Sequence, residues 1–503
     1  MKKYASLLLG ILLSAVANAQ TPPITPAWAL GHFVWEDSLN NTRGTERIVQ
    51  LYLDRGIPVD GVIVDSPWSL SYNDFEWDPK RYADPQQMIR NLAEKNVRVV
   101  LWLTGNVNEQ CKDTRNQSSE AYRYAREHNY GVNNSEPYKW WKGTGIHIDF
   151  TNPDAVAWWN GQLDKVFTDN VSGWKVDQGE VWLDSTVTTR KGVMSNMEFR
   201  HYYYDAMYDY TVNRKKDGII IARPFSHQGG LEASVEKMSL GWCGDFSGDW
   251  NGLRKQIDNV YRSAAYGYGA VATEVGGFFM KKSNGEQLAR YIQFGSMTAA
   301  MINGGENGAF SNHLPWYHGQ EVMDIYAECV ERHKKLVPYI FSVLVDCHRY
   351  GGSLIQQASV AESSHCLGPD IFAKFVTSND HHVSYRLPVE GMWKDVRTGK
   401  VYEAGTQLSE DVPLASFPLF VRLGSVIPLA MADGTLQLMV TPNGSFSRVL
   451  HLPEGKGTDY FDCTVVYDDA SKKVNVYADK PREFTIHIKG KIDKNYKLTS
   501  SVR

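Results

Sequence analysis

Cysteine is scarce in this 503-residue chain. There are six, Cys111, Cys243, Cys329, Cys347, Cys366 and Cys463, and none has the paired spacing of a zinc site. That excludes a disulfide-stapled scaffold. A bridge between Cys111, in a predicted loop, and Cys243 stays open, because export would permit it. Excess charge of one sign is also missing. A net charge of −4 leaves no electrostatic footprint for nucleic acid or an anionic membrane. Past the first twenty residues no apolar run is long enough to span a bilayer, so membrane insertion is not expected. No G-x-G-x-x-G turn opens a helix, which counts against a dinucleotide-binding sheet.

The segment MKKYASLLLGILLSAVANAQ has two lysines, an apolar run and a small-residue Ala17-Asn18-Ala19 site. It reads as a secretory signal over residues 1–19, cleaved after Ala19. No cysteine follows the cleavage site, so a lipid anchor is not indicated. The mature protein is expected to be exported and soluble, periplasmic or secreted. Fifteen Trp and 27 Tyr are many. They read as large cores, and some of the rings as platforms for the C–H faces of sugars.

Short apolar runs then alternate with amphipathic ones. The strands are read at 28–35, 61–65, 97–103, 173–177, 218–223, 239–245, 270–276 and 298–304. The clearest helices lie at 47–56, 85–96, 154–167, 200–214 and 253–267. Eight strand–helix units predict an α/β fold, a (β/α)8 TIM barrel over residues 24–352, with an open doubly wound sheet as the alternative. From residue 353 the rhythm changes to short β-rich runs separated by turn signals such as Pro442-Asn443-Gly444. These predict C-terminal all-β sandwich domains, a proximal one over 353–430 and a distal one over 431–503.

Polar residues fall at the strand ends: Asp65, Asp177, Arg223, Asp245 and Glu274, with Glu306 and Asn307 after the eighth strand. In a barrel these ends share one face, where active sites are built. Any one of them alone reads equally well as a helix cap. In GWKVDQGE, residues 173–180, Lys175 and Asp177 alternate onto the same face. A cation near a carboxylate favours its charged form, as a nucleophile requires. Asp245, within GWCGDFSGDW, sits among aromatics and glycines, surroundings that favour a protonated carboxyl, as a general acid requires. Two carboxyls pushed in opposite directions are what glycosidases use.

Along most of its length the sequence resembles glycoside hydrolase family 31, closest to its α-xylosidase/α-galactosidase-like branch. PAWALGHF looks like that family's lead into its barrel, and IPVDGVIVDSPWSLSYNDFEWDPKRYADPQQMI looks like its second-strand block. IDFTNPDAVAWW, GWKVDQGE, GWCGDFSGDW, GGF at 276–278, LVPYIFSV and FPLFVRLGSVIP follow in the family's order. The resemblance implies an exo-acting retaining α-glycosidase. Asp177 would be the nucleophile and Asp245 the acid/base. Asp65, Lys175 and Arg223 would hold hydroxyls of the terminal sugar, and Trp102 and Trp242 would offer it ring faces. No metal or organic cofactor is implied. The partner is an oligosaccharide or glycoside, and the oligomeric state is left open.

Three departures from the family's pattern bear on the sugar. The family usually carries a β-sandwich before the barrel, whereas here Pro26 follows the signal almost directly; the polar, aromatic stretch 104–145 is a candidate cover for the pocket. The second-strand block reads Asp65-Ser66-Pro67-Trp68, without the second Asp of the family's glucosidases. Ser66 and Pro67 leave room for an axial hydroxyl, and Trp68 is placed to pack on the C–H side of a galactose ring. Asn307 stands where the family has a histidine, with His313 nearby out of register. These features favour α-galactosides, with α-xylosides and α-glucosides as alternatives. A transglycosylase or a non-catalytic carbohydrate-binding protein are the alternatives of other classes.

Overall fold

A computed structural model of the chain describes residues 20–502, apart from 38–39, 169, 227–229, 279–280, 306–312 and 490–493. The expected signal segment therefore lies outside the described residues, as does Asn307.

Eight parallel strands close into a barrel: β1 (His32–Trp35), β2 (Gly61–Val64), β3 (Arg98–Leu103), β4 (Val171–Val176), β5 (Ile219–Ala222), β6 (Leu240–Trp242), β7 (Val271–Val275) and β8 (Met301–Asn303). Neighbours around the ring are neighbours in sequence, and β8 returns to β1 through His32–Met301 and Phe33–Ile302. The strands are apolar without alternation, as in GVIV and IIIA, because a parallel sheet inside a shell of helices is buried on both faces. Each observed strand falls within or across a predicted one. The first is shorter, because Ala27–Ala29 is a 3-10 turn.

Local chemistry starts the surrounding helices. Asn41, Asp84, Asn152, Ser195 and Asp249 each accept a backbone N–H at a helix start, and Pro85 and Pro153 occupy first-turn positions. Asn284 and Gln287 form a reciprocal capping box. A 31-residue helix, Gln320–Tyr350, packs against the barrel and against later strands at Ser425–Ala430 and Phe446–Pro453, and ends at Gly351 with φ 80°.

Beyond it the chain is β-rich. A six-stranded and a two-stranded sheet occupy residues 355–422, and two four-stranded sheets occupy 425–502. Ser425–Ala430, which lies just before the boundary read at residue 430, pairs with Leu436–Thr441 and so belongs to the later sheets. All six cysteines are buried and unbridged. The Cys111–Cys243 bridge is therefore not formed: Cys243 Sγ donates to Gln256 Oε1 at 3.3 Å, and Cys111 packs with Tyr72, Trp102 and Trp140.

Candidate active site

The closed ring brings every strand's C-terminal end to one mouth. A cavity of about 460 Å³ opens there, lined by Asp65 after β2, Lys175 and Asp177 on and after β4, Arg223 after β5 and Asp245 after β6. Strand parity explains the pair on β4: Lys175 and Asp177 both face inward, while Val176 between them is buried in the packing.

Five charged groups meet there. Lys175 Nζ donates to Asp65 Oδ2 at 2.8 Å, with both side chains buried. Arg223 spans the two acids: Nη1 donates to Asp177 Oδ1, and Nη2 donates to Asp245 Oδ2 at 2.6 Å. One planar guanidinium thus holds both carboxylates side by side at the cavity. Asp177 also accepts from Trp102 Nε1 at 3.0 Å and from the Gln178 backbone N–H at 2.8 Å. Burial alone would push its carboxyl up. The charges of Arg223 and Lys175 and these donated bonds outweigh it and hold the pKa at about 2. Asp177 is therefore ionised at neutral pH. Lys175, whose direct partner is Asp65, acts on Asp177 through its field, and Arg223 supplies the contact. Burial works against the Lys175 charge, yet Asp65, Asp177 and Glu274 raise its pKa. Asp245 meets Arg223 rather than only the apolar neighbours anticipated for it, and its side chain is 22 % exposed.

The aromatic rings have a different arrangement from the expected one. Trp102 and Trp242 are 2 % and 1 % exposed, and they hold charged groups by their edges and faces instead of opening onto the cavity. Lys175 Nζ lies 4.4 Å from the Trp242 ring centroid and 3.8 Å from that of Trp35, so its ammonium sits between two indoles. Both indoles are pinned by one buried carboxyl group: Trp35 Nε1 donates to Glu274 Oε1 at 3.0 Å, and Trp242 Nε1 to Glu274 Oε2 at 2.7 Å. Trp68 does not line the cavity either. It is buried against Phe75 and Trp77, and its indole N–H donates to the Trp102 carbonyl at 2.8 Å. It thus supports the strand that carries Trp102. His313, out of register in the sequence, lies 2.9 Å from Glu36 Oε1 as a buried pair beyond the end of β1.

The stretch after β3 does reach the cavity. Asn106–Cys111, Tyr138–Trp140 and Gly143–His147 form a small antiparallel sheet, and the turns beside it place Lys112, Asp113, Trp141 and Lys142 in the wall. This sheet explains the second glycine of GWKVDQGE: a Cβ on Gly179 would lie 1.9 Å from Asn106 Oδ1. Glu180, the last residue of the motif, is fully buried. It accepts from the Gly179 N–H at 2.9 Å and from Tyr204 OH at 3.3 Å, tying the loop after Asp177 to the helix Asn196–Arg214.

Trp35, Gln178, Trp182 and Phe278 also line the wall, and Glu274 anchors two indoles; none of these roles was expected from the sequence. Trp35 and Phe278 stack at 5.3 Å. The tryptophan at the end of β1 was the available signal for this part of the wall. Among the described residues no cluster of His, Cys, Asp or Glu could hold a metal ion, and no helix is long and apolar enough to cross a membrane.

Known proteins share this architecture. The chain is 24 % identical over 444 residues to an alpha-xylosidase of Emericella nidulans, covering 81 % of this chain and 54 % of that protein. It is 25 % identical over 469 residues to alpha-glucosidase 2 of Bacillus thermoamyloliquefaciens, covering 87 % of this chain and 59 % of that protein. It thus spans a little over half the length of these relatives. Its fold matches a solved GH31 dextranase of Flavobacterium johnsoniae with a TM-score of 0.81 at 18 % identity, over 93 % of this chain and 64 % of that one. It also matches the GH31 alpha-xylosidase of Xanthomonas citri with a TM-score of 0.80 at 17 % identity, over 96 % and 60 %. The model of the glycosyl hydrolase family 31 C-terminal domain matches residues 355–427. The model of the TIM-barrel domain of the glycosyl hydrolases family 31 matches residues 22–343, and the chain belongs to that family.

Proposed function

We propose that the chain is an exo-acting retaining α-glycosidase. The observation that carries this reading is the pair of acids bridged by Arg223, one of them held ionised, in a cavity that they line with the buried Asp65 and Lys175. Asp177 Oδ attacks the anomeric carbon while Asp245 gives a proton to the departing glycosidic oxygen. The C1–O bond breaks, and a β-glycosyl ester of Asp177 forms. Asp245 then takes a proton from water, whose oxygen displaces Asp177 and restores the α configuration. Asp65, Lys175 and Arg223 bind hydroxyls of the terminal ring.

For the terminal sugar, the relatives named as an alpha-xylosidase and an alpha-glucosidase favour an α-xyloside or an α-glucoside. A second reading, an α-galactoside, rests on Asp65-Ser66-Pro67, which lacks the second Asp for an equatorial hydroxyl. A panel of nitrophenyl α-xyloside, α-glucoside and α-galactoside decides between them by relative kcat/KM. The mechanism is tested with azide. Asp177→Ala should lose hydrolysis and, given azide and an α-glycosyl fluoride, form a β-glycosyl azide. Asp245→Ala should form the α-glycosyl azide. Unchanged turnover in Asp177→Ala overturns the reading.

A further inference from the structure

The open end of the cavity carries a feature that the chemistry above does not use. Trp141 and Trp182 line it at 36 % and 45 % exposure, whereas Asp65, Lys175 and Trp35 at the closed end are almost wholly buried. No other tryptophan among the described residues is as exposed. Leaving two indoles in water forgoes the burial that normally stabilises such rings, so their shared position in one wall of one cavity calls for an occupant.

The two rings are held in place. Their centroids lie 6.2 Å apart with planes inclined by 36°, a slightly bent shelf. Trp141 is braced edge-on by Trp102 at 5.9 Å and by Trp140 at 5.8 Å, and the Lys142 ammonium lies 4.5 Å over its ring. Its indole N–H points to the Gln178 carbonyl at 3.4 Å, next to Asp177. Trp182 closes the 3-10 turn Glu180–Trp182 in the same loop. The backbone that positions the nucleophile therefore also positions the shelf. Lys112 and Asp113 stand beside it in the cavity wall, and Lys142 Nζ is 3.7 Å from Asp113 Oδ2.

We infer that the Trp141–Trp182 shelf is the leaving-group site, and that the leaving group it fits is a pyranose ring. In an exo-acting enzyme the terminal sugar fills the closed end, so the group beyond the broken bond must extend towards the open one. A pyranose offers a C–H face to stack on indoles and hydroxyls for Lys112 and Asp113. The substrate class is then a disaccharide or longer oligosaccharide rather than a glycoside of a small alcohol. This inference rests on the glycosidase reading above.

The test compares two substrates of the same terminal sugar: a disaccharide and the α-glycosyl fluoride, whose leaving group is one atom. In Trp182→Ala, kcat/KM for the disaccharide should fall about tenfold or more, while that for the fluoride stays within about twofold, and Trp141→Ala should show at least the same fall on the disaccharide. Trp141→Phe should recover most of the disaccharide activity, and unchanged fluoride turnover serves as the control for folding. A parallel fall on both substrates, or no fall on either, overturns the shelf as a leaving-group site and leaves the glycosidase reading standing. If the wild-type protein turns over neither substrate for any of the three sugars, the glycosidase reading fails and takes this inference with it.

Discussion

The indole Nε1 of Trp102 donates to Oδ2 of Asp177 at 3.0 Å, from a ring that is 2 % exposed. A hydrogen bond to a buried carboxylate favours its ionised form, and this one adds to the pull of Arg223 and Lys175. Trp102→Phe keeps most of the ring and removes the donor. The Asp177 pKa should rise, so the acid limb of the kcat/KM profile moves to higher pH. At neutral pH kcat should fall by roughly 10- to 100-fold, the worth of one charge-assisted bond. An unchanged acid limb would count against this account of the nucleophile.

Arg223 can hold Asp177 and Asp245 together only because its two terminal nitrogens diverge from one planar group. A lysine ammonium is a single point and cannot reproduce the fork. Arg223→Lys should therefore keep the charge yet lower kcat/KM by about 10²-fold, through loss of the relative placement of the acids. Steady-state kinetics on a nitrophenyl glycoside, with a melting curve to verify folding, checks this; activity within twofold of wild type contradicts it.

Much of this architecture can be read from local pattern. Strands buried on both faces appear as unbroken runs such as GVIV and IIIA, and the acids stand at their ends by simple counting. What could not be read is the partnering across the barrel. Nothing near Asp177 in the chain announces that Arg223, 46 residues on, will hold it, or that Lys175 will pair with Asp65, 110 residues back. The tryptophans mislead for a related reason. An indole is both a flat face and an edge donor, and its place in the sequence does not tell which one the fold will use. Trp68, Trp102 and Trp242 use their edges, to a carbonyl and to two carboxyl groups.

Glu274 is the clearest instance. It accepts from Trp35 and Trp242 at once, and those rings flank the Lys175 ammonium at 3.8 and 4.4 Å. Glu274→Gln keeps the shape, but an amide nitrogen cannot accept, so one indole N–H loses its partner. The ring that turns away loosens the seat of Lys175 and, through it, the hold proposed for Lys175 on a sugar hydroxyl. We expect kcat/KM to fall about tenfold, with an altered tryptophan emission spectrum in the free protein. Wild-type values of both would remove Glu274 from this role.

Two buried acids, Glu232 and Glu180, lie behind the loop that follows Asp177. Glu232 is fully buried, and burial together with the neighbouring charge of Glu180 pushes its pKa from 4.5 up to about 8, with Arg223 pulling the other way. The Glu180 carboxyl is raised by burial too, against the charge of Arg200. Gln178 Nε2 donates to Glu232 Oε1, so this acid also supports the loop beside Asp177. The sign follows from proton counting. Below the unfolded value both states of the chain hold the proton, and pH has no effect through this group. Between that value and about 8 the unfolded chain has released the proton and the folded one retains it, so stability falls as pH rises. Above about 8 both are ionised and the loss is complete. Glu232→Gln retains an oxygen to accept from Gln178 but has no proton to lose. Between pH 5 and pH 8 its melting temperature should therefore decline less than that of the wild type, by about 1 °C for each kcal/mol involved in a chain of this length. Differential scanning calorimetry across that range checks it, and parallel declines in the two proteins would show that Glu232 is not the acid that holds its proton.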